Sequence, residues 1–388
     1  MDPMLNPFSP GAGSRPPELA GRDDILEDAR IALGRTIRGR SSQSQILLGL
    51  RGTGKTVLLN AIEGVAEVQH FHTSYIEAQS DNKLAEMLYP LMRQTIQKFS
   101  IVEQARSAAN RALSALRNFA SVFKISHGDI QIEVEPTPGS ADTGDLELDL
   151  TEMFELVGRA ARDAGRGWAL LIDEIQYLEG KELAAIIVAI HRVTQKGLPV
   201  IVFAAGLPQI AKLSGDAKSY AERLFTYPKI GPLERSAAEE AIRNPLQKEG
   251  ITIDPKALKI IIDKTNGYPF FLQEWGHQIW NISERSPITV KDAQKASGQA
   301  IEQLDQGFFR VRLDRLTGAE QEYVKAMAAL GAGPYKSTDV ASQVGKDQKT
   351  LGPRRAKIIA KGMIYSPGFG EIDFSVPLFD DFLRRQEI

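Results

Sequence analysis

The sequence predicts an α/β fold in which a parallel sheet is covered by helices on both faces, followed by an α-helical lid and a C-terminal winged helix. Short, continuously apolar runs alternate with helical stretches through the first 232 residues. Strands without polar alternation are typical of parallel sheets that are buried on both faces. After Leu233 only helical patterns follow, until a short hairpin near the C-terminus. These observations indicate that the sheet domain comes first in the chain, the helical lid second and the winged helix last.

The strands and helices of the first part follow one another regularly. An amphipathic helix is predicted at 23–38, and a second helix at 55–67 follows the run QILLGL and a glycine-rich turn. Apolar residues recur at helical spacing in both, whereas the strands are short and uninterrupted. Four more strands complete the series, each preceded by a helical stretch or a loop: FHTSYIEA (71–78), WALLID (168–173), PVIVFAA (199–205) and FTYPKIGPL (225–233).

One segment interrupts this order. A predicted helix over 103–120 leads to VFKISHGDIQIEVE, in which apolar residues alternate across a His-Gly-Asp turn. This alternation predicts a hairpin, and an acidic loop follows at 136–145. We therefore predict a helix–hairpin insertion over about 103–147, with the acidic part at 121–147. The sequence fits an insertion with a purely structural role and one that contacts a partner equally well.

Changes of pattern divide the chain into four parts. Residues 1–15 are rich in Pro, Gly and Ser and predict an extended N-terminal arm. Residues 16–232 contain the alternating strands and helices of the αβα domain, and residues 233–307 predict the lid. Residues 308–388 show the order helix, helix, helix, hairpin, which is typical of a winged helix-turn-helix.

The composition excludes several classes of protein. The 388 residues carry a formal net charge of −2 and include no cysteine. A uniformly basic nucleic-acid-binding surface, disulfides and thiolate metal sites are therefore excluded. The longest apolar runs are shorter than the roughly 20 residues that span a bilayer, and the N-terminus lacks the basic and apolar parts of a signal peptide. We expect a cytoplasmic protein that makes no membrane contact.

The octapeptide GLRGTGKT (49–56) lies between a predicted strand and a predicted helix and matches G-x-x-x-x-G-K-[ST]. Its glycines let backbone N–H groups point into the loop, and the helix N-terminus adds partial positive charge. We expect Lys55 to reach the β- and γ-phosphates of a nucleotide and the Thr56 hydroxyl to ligate Mg²⁺. The predicted nucleotide-binding residues of this loop are Gly49, Gly52, Thr53, Gly54, Lys55, Thr56 and Val57.

Two acidic residues follow the apolar run WALLI. Asp173 ends a strand that is predicted to be buried, where a carboxylate needs a partner, and we expect it to hold the Mg²⁺ shell. Glu174 is placed to orient and polarise an attacking water. Taken alone, this Asp-Glu pair also fits a solvated turn, but the phosphate loop favours the functional interpretation. The sequence therefore predicts ATP and Mg²⁺ as ligands and hydrolysis of ATP to ADP and phosphate, with Lys55 and Glu174 as catalytic residues.

These Walker A and Walker B motifs resemble those of AAA+ ATPases, in the group that contains origin-recognition initiators and STAND signalling ATPases. The resemblance extends from about residue 15 to 385 and implies a P-loop AAA+ sheet domain. PPELAGRDDIL (16–26) is similar to the leading box of that group, whose backbone frames the adenine base. The resemblance thus implies that Leu19, Ala20 and Arg22 lie near the base.

A second stretch, AERLFTYPKIGPL (221–233), resembles the segment that carries the arginine finger in oligomeric members of the group. The resemblance implies that Arg223 is catalytic and stabilises transition-state charge on the γ-phosphate of a neighbouring subunit. A surface arginine that forms a salt bridge is the alternative for this residue.

Two features depart from the group's pattern. The strand within VIVFAAGLPQI ends in small residues at 204–206, where many members place a polar residue that senses the γ-phosphate, and Gln209 is the candidate substitute. TNGYPFFLQEWG (265–276) has no arginine where many lids carry a second sensor. It resembles instead the Gly-x-Pro motif of the STAND group, which implies that Pro269 contacts the nucleotide. Both departures favour a slow switch over a fast motor.

The last part of the chain is basic. From Phe308 to the C-terminus, 13 Lys and Arg residues face 10 Asp and Glu residues, and most of the excess falls on the predicted third helix. Such a helix can contact DNA phosphates or guanine edges. A solvated helix surface or a relay domain explains the charge equally well. The candidate DNA-binding residues are Lys349, Arg354, Arg355 and Lys357.

Two functions are compatible with these features. The first is a DNA-associated, initiator-like ATPase that assembles as a homo-oligomer through Arg223 and binds duplex DNA through the winged helix. The second is a STAND-like signalling ATPase whose partner is a separate protein, with the winged helix as a relay. A metabolic ATP-using enzyme such as a kinase is disfavoured, because the sequence shows no second substrate pocket with paired acid and base residues.

Overall fold

The computed structural model of the chain describes residues 1–11, 13–14, 16–79, 81–125 and 139–386. The hairpin predicted within VFKISHGDIQIEVE lies outside these residues from position 126 onwards. At the described end of the acidic loop, the Asp149 carboxylate accepts hydrogen bonds from the backbone N–H groups of Thr143 and Gly144.

Five parallel strands form the central sheet: β1 (Ser44–Leu48), β2 (Phe71–Glu77), β3 (Gly167–Asp173), β4 (Val200–Gly206) and β5 (Phe225–Thr226). Their order is β2-β3-β4-β1-β5, so β4 lies between the strand that enters the glycine-rich loop and the strand that ends in Asp173. Every residue of β1, β3 and β4 is buried, which explains why these strands are mainly apolar on both faces. The predicted parallel α/β sheet is confirmed.

Helices cover both faces of this sheet. They are α1 (Asp23–Thr36), α2 (Lys55–Val68), α3 (Leu84–Ser100), α4 (Arg106–Val122), α5 (Leu146–Asp163), α6 (Gly180–Gln195), α7 (Ile210–Ala217) and α8 (Ala221–Leu224). Alternate side chains of a strand point to opposite faces. Leu47 and Phe203 therefore share one apolar core with α1 and α2, whereas Ile46 and Val202 share the other with α3 to α6.

Four helices follow the sheet and are called the lid below: α9 (Arg235–Lys248), α10 (Pro255–Thr265), α11 (Pro269–Ile282) and α12 (Val290–Gln303). A π-helical turn, Leu304–Phe309, and the short helix α13 (Arg310–Asp314) form a connecting segment. The predicted boundary at 307–308 therefore falls inside a continuous helical stretch. In this segment the Phe309 ring stacks on Phe382, with 5.3 Å between the ring centroids.

The remaining residues form the C-terminal unit, with the elements α14 (Gly318–Ala329), β6 (Tyr335–Lys336), α15 (Ser337–Val344), α16 (Gln348–Ala360), β7 (Ile364–Tyr365), β8 (Glu371–Phe374) and α17 (Phe379–Arg385). Its three strands pair antiparallel in the order β6-β8-β7. Thr317 and Glu320 cap α14 reciprocally, as a capping box does. The lid and the C-terminal unit share one apolar core.

The N-terminal arm is anchored to the lid. The Phe8 side chain is 2% exposed and belongs to the lid's apolar core. The Trp280 indole N–H donates to the Asp2 carbonyl over 2.8 Å, and the Asn6 amide donates to the His277 carbonyl over 3.1 Å. These contacts lead the following residues of the arm toward the carboxyl edge of the central sheet. None of the helices within the described residues is long and apolar enough to span a bilayer.

Candidate nucleotide-binding site

The glycine-rich loop joins β1 to α2 at the carboxyl edge of the sheet. Gly54 caps α2 with a φ of 89°, a backbone conformation that side chains with a Cβ rarely adopt. The buried Lys55 Nζ donates to the Leu50 carbonyl over 2.9 Å, and the Thr53 hydroxyl donates to the same oxygen over 2.8 Å. The loop is thus curled around its own lysine.

Lys55 is 7% exposed and lines the pocket above the loop. Burial lowers the pKa of its ammonium group, while the nearby carboxylates of Glu174 and Asp173 act in the opposite direction. A cation held in such a desolvated position favours an anionic ligand. The arrangement therefore suits the phosphate groups of a nucleotide.

Gly49 differs from the other predicted loop residues. It does not line the pocket, and its N–H donates to the Gly206 carbonyl over 3.0 Å. A Cβ at this position would lie 2.3 Å from the Ile230 carbonyl oxygen. The structure thus gives Gly49 a packing role between strands, whereas Gly52, Thr53, Gly54, Lys55, Thr56 and Val57 all line the pocket.

Asp173 ends β3 beside the loop. Its Oδ2 atom accepts a hydrogen bond from the Thr56 hydroxyl over 2.5 Å and another from the Tyr75 hydroxyl over 3.1 Å. Burial, and then the adjacent carboxylate of Asp173, raise the pKa of Tyr75, so this hydroxyl stays protonated and donates. Paired hydroxyl and carboxylate oxygens beside the phosphate loop are the hard ligands that Mg²⁺ prefers.

Glu174 adopts a positive φ of 51° and lines the same pocket. Its Oε1 atom lies 3.5 Å from the Arg51 guanidinium, and its Oε2 atom accepts a hydrogen bond from the Gln176 amide. The Gln176 Oε1 atom in turn accepts from the N–H of Leu207, directly after β4, over 3.1 Å. Arg51 and Gln176 therefore fix the orientation of the carboxylate.

The end of β4 consists of small buried residues at 204–206, as the sequence shows. Gln209, the candidate substitute for a polar residue there, does not line the pocket. Gln176 connects the end of β4 to Glu174 instead. Gln176 was not predicted from the sequence, because the turn after β3 had to be placed against β4 before this contact could be seen.

The residues assigned to the adenine end also reach the pocket. Leu19, Ala20 and Arg22 line it together with Pro269 of the lid. The Arg22 guanidinium donates to the Gly231 carbonyl, which holds the leading segment against the end of the sheet domain. Burial lowers the pKa of Arg22.

Several lining residues were not predicted from the sequence. Phe270 in the lid donates its N–H to the Gly52 carbonyl over 3.1 Å, and its ring stacks on Phe308 with 4.8 Å between the centroids. Arg312 of α13 lies over the Phe308 ring, 3.7 Å from its centroid. Five residues of the N-terminal arm also line the pocket: Ser9, Pro10, Gly11, Gly13 and Ser14. Pro16, at the start of the leading segment, lines it as well.

The phosphate loop also touches the C-terminal unit. The Arg51 N–H donates to the Ser375 carbonyl over 2.9 Å, and the Arg51 guanidinium donates to the Tyr177 hydroxyl over 2.9 Å. A Cβ on Gly362 would lie 2.7 Å from each of these two side chains. The loop is therefore in direct contact with the sheet domain, the lid and the C-terminal unit.

Arg223 lies outside this pocket. It is exposed on the short helix α8, and its carbonyl accepts a hydrogen bond from the Gln43 amide over 3.0 Å. Within the described residues, its guanidinium forms no ion pair with an acidic side chain. Arg223 is thus not brought to the phosphate loop of its own chain.

The four candidate DNA-binding residues of α16 have different surroundings. Arg354 pairs with Glu322 at 3.0 Å, and Arg355 donates to the Ser337 hydroxyl over 2.8 Å. Lys349 and Lys357 are exposed. Because successive helix residues are about 100° apart, Lys357 points away from the side of α16 on which Arg355 lies.

Comparison with known proteins identifies two regions. Residues 18–203 match a family model described as an AAA ATPase domain, and residues 306–383 match a domain of unknown function, DUF8462. No curated protein matches the chain.

Among solved structures, the Walker-type ATPase of Pyrococcus abyssi is similar over 94% of this chain and 96% of its own, with a TM-score of 0.58 and 16% identity. The similarity to the ORC1 protein of Aeropyrum pernix, solved in complex with DNA, extends over 96% of this chain and 94% of the ORC1 chain, with a TM-score of 0.45 and 14% identity. The similarity to RuvB of Thermotoga maritima, a Holliday junction branch migration motor, extends over 93% of this chain and 95% of the RuvB chain, with a TM-score of 0.43 and 15% identity.

At such identity, the similarity to the Pyrococcus abyssi protein establishes the fold alone. The match over residues 18–203 coincides with the part of the chain that holds the glycine-rich loop, the Asp173–Glu174 pair and the strands that position them. Residues 18–203 are therefore similar to an AAA ATPase domain, and the chain has the fold of a P-loop AAA+ protein.

Proposed function

We propose that the protein hydrolyses ATP slowly and acts as a nucleotide-controlled conformational switch. One observation carries this proposal: a single pocket is lined by the N-terminal arm, the phosphate loop, the lid and the connecting segment. A ligand that fills that pocket would contact all four parts at once. Because a ligand shifts a conformational equilibrium only through contacts that differ between states, this shared lining suits a switch.

The chain's own residues have separate roles in the proposed reaction. Lys55 and the N-terminus of α2 bind the phosphates, and Thr56 and Asp173 would hold Mg²⁺. When bound, the metal neutralises charge on the β- and γ-phosphates. Glu174 orients and polarises the attacking water as a general base.

The slow rate and the assembly are parts of the same proposal. The end of β4 offers no polar side chain to the pocket, which supports a low turnover. Arg223, exposed and without an ion-pair partner among the described residues, suits a contact with the γ-phosphate of a second copy. Assembly as a homo-oligomer would supply that contact.

The experiment that tests the proposal is steady-state phosphate release by the purified protein. We expect release with ATP and Mg²⁺ at well below the roughly 10 s⁻¹ that is the median for enzymes, and its loss when EDTA removes the metal. Release that persists in EDTA would contradict the assigned role of Thr56 and Asp173. ATP binding without release would leave a nucleotide-binding switch and exclude the ATPase.

A groove on the C-terminal unit favours duplex DNA as the partner. Lys212 of α7, Lys336 of β6 and Arg355 of α16 line it together with Phe369, which is fully exposed at the tip of the β7–β8 hairpin. Neither lysine forms an ion pair within the described part of the chain. Clustered cations around a groove attract the phosphate backbone of nucleic acids.

For the DNA interface, we predict that the double substitution Lys212→Ala and Lys336→Ala weakens binding of a fluorescent 20-base-pair duplex. The slope of log affinity against log salt should fall by roughly 2, about one unit for each lysine that contacts a phosphate. The matched control replaces Lys256 and Lys291, two exposed lid lysines outside the groove, with alanine. It should change neither the affinity for the duplex nor the salt slope. Absence of duplex binding by the unaltered protein at physiological salt would instead favour the second function, a relay toward a separate protein.

A further inference from the structure

Arg312 is a cation in the nucleotide pocket that none of the site assignments uses. It lies on α13 and lines the same pocket as Lys55, Thr56 and Glu174. Its Nη1 atom donates to the Phe308 carbonyl over 2.9 Å. No acidic side chain among the described residues forms an ion pair with it. Its charge is therefore only partly compensated within the protein.

A stack of aromatic rings fixes Arg312 against the phosphate loop. The guanidinium lies 3.7 Å from the centroid of the Phe308 ring, which is itself stacked on Phe270. The N–H of Phe270 is hydrogen-bonded to the Gly52 carbonyl in the middle of the loop. Three consecutive contacts thus connect Arg312 to Gly52 and hold the guanidinium at this side of the pocket.

The electrostatics of this position favour an anion. Burial, and then the charges of Arg51 and Arg315, lower the pKa of Arg312 to about 10. The group stays protonated at neutral pH, yet it is partly desolvated and repelled by its neighbours. Arg51 has Glu174 as its counter-charge, whereas Arg312 has none in the described chain. A bound polyphosphate would supply the missing negative charge.

The position also discriminates between the parts of a nucleotide. Arg312 lies close enough to Arg51 to feel its charge, and Arg51 contacts Glu174. In the proposed reaction, Glu174 must stand beside the γ-phosphate. The resemblance assigns the adenine base instead to Leu19 and Ala20, which line the same pocket.

We infer that Arg312 binds the γ-phosphate of ATP and makes the pocket distinguish ATP from ADP. This inference rests on the proposed ATPase function. Arg312 is carried by the segment that connects the lid to the C-terminal unit, and the neighbouring Phe309 stacks on Phe382 of that unit. Presence of the γ-phosphate is thereby communicated directly to the C-terminal unit.

The test compares ATP and ADP affinities of the full-length protein by competition with a fluorescent nucleotide. In Arg312→Ala, ATP affinity should fall by about 10–100-fold, the loss expected for charge-assisted hydrogen bonds to a phosphate, while ADP affinity changes by less than about 3-fold. Arg312→Lys should lose less ATP affinity, because it keeps the charge without the planar fork. Arg310→Ala, which removes an exposed arginine of α13 that does not line the pocket, is the control and should alter neither affinity.

The outcomes separate this inference from the proposed function. An equal loss of ATP and ADP affinity in both Arg312 variants would overturn it, since a structural or adenosine-contacting residue has that effect. Unchanged ATP affinity would overturn it as well. If the unaltered protein binds neither nucleotide, the proposed function itself fails. Melting temperatures without nucleotide verify folding, and Arg312→Lys supplies the comparison if Arg312→Ala does not fold.

Discussion

Replacing Glu174 with glutamine is expected to lower ATP turnover by about 10²–10⁴-fold, the range that a general base contributes. Glutamine keeps the size of the side chain and can still contact Arg51 and Gln176, which hold Glu174 in place. It cannot accept a proton from water. ATP affinity should stay within a few-fold of the original, because the phosphate loop and Asp173 are unchanged. Single-turnover phosphate release and equilibrium ATP binding measure the two effects separately.

Glu179→Gln provides a control for this substitution. Glu179 follows Glu174 closely in the sequence and caps α6, but it does not line the pocket. Its replacement should cost stability of the helix and leave turnover nearly intact. Normal turnover in Glu174→Gln would refute the assignment of Glu174 as the base.

Replacing Lys55 with methionine is expected to weaken ATP binding by about 10–100-fold or more, since a charge-assisted hydrogen bond contributes roughly 1.5–3 kcal/mol. Methionine retains much of the apolar stem that is buried beneath the loop. Its thioether cannot replace the ammonium that donates to the Leu50 carbonyl and faces the pocket. Isothermal titration with ATP measures the loss.

Because Lys55 is buried and its pKa is lowered, its removal without nucleotide should leave the melting temperature unchanged or raise it. The same substitution should abolish the stabilisation that ATP gives to the unaltered protein. Undiminished ATP binding by Lys55→Met would show that the nucleotide occupies another site.

The candidate phosphate site was largely predictable because its residues are contiguous in sequence. GLRGTGKT needs only a strand before it and a helix after it, and the apolar patterns indicated both. Asp173 was predictable for a related reason, since a carboxylate at the end of a buried strand needs a polar partner. The Thr56 hydroxyl is that partner.

The rest of the pocket depends on long-range packing. Ser9 and Arg312 are far apart in the sequence, yet both line one pocket. Phe8 is buried in the lid and places Ser9 there, and the connecting segment after the lid places Arg312 there. Neither position belongs to a local motif. Gly49 shows the reverse case: the motif assigned it to the nucleotide, whereas the structure places it against Ile230.

The number of basic residues on α16 was a weak guide to the DNA-binding residues, because their pairing also depends on long-range packing. A count of Lys and Arg does not reveal which of them are already paired, and Arg354 is held by Glu322. The groove combines Arg355 of α16 with Lys212 from the sheet domain, and only the folded chain brings these residues together.

In the proposed switch, ATP joins the arm, the phosphate loop and the connecting segment. Amide hydrogen exchange of Glu174→Gln with Mg²⁺ and ATP, compared with ADP and with no nucleotide, tests this mechanism most directly. We expect ATP to slow exchange in residues 9–11, 13–14, 49–57 and 308–312, and ADP to protect 308–312 much less. Protection confined to residues 49–57, identical for ATP and ADP, would contradict the proposed switch.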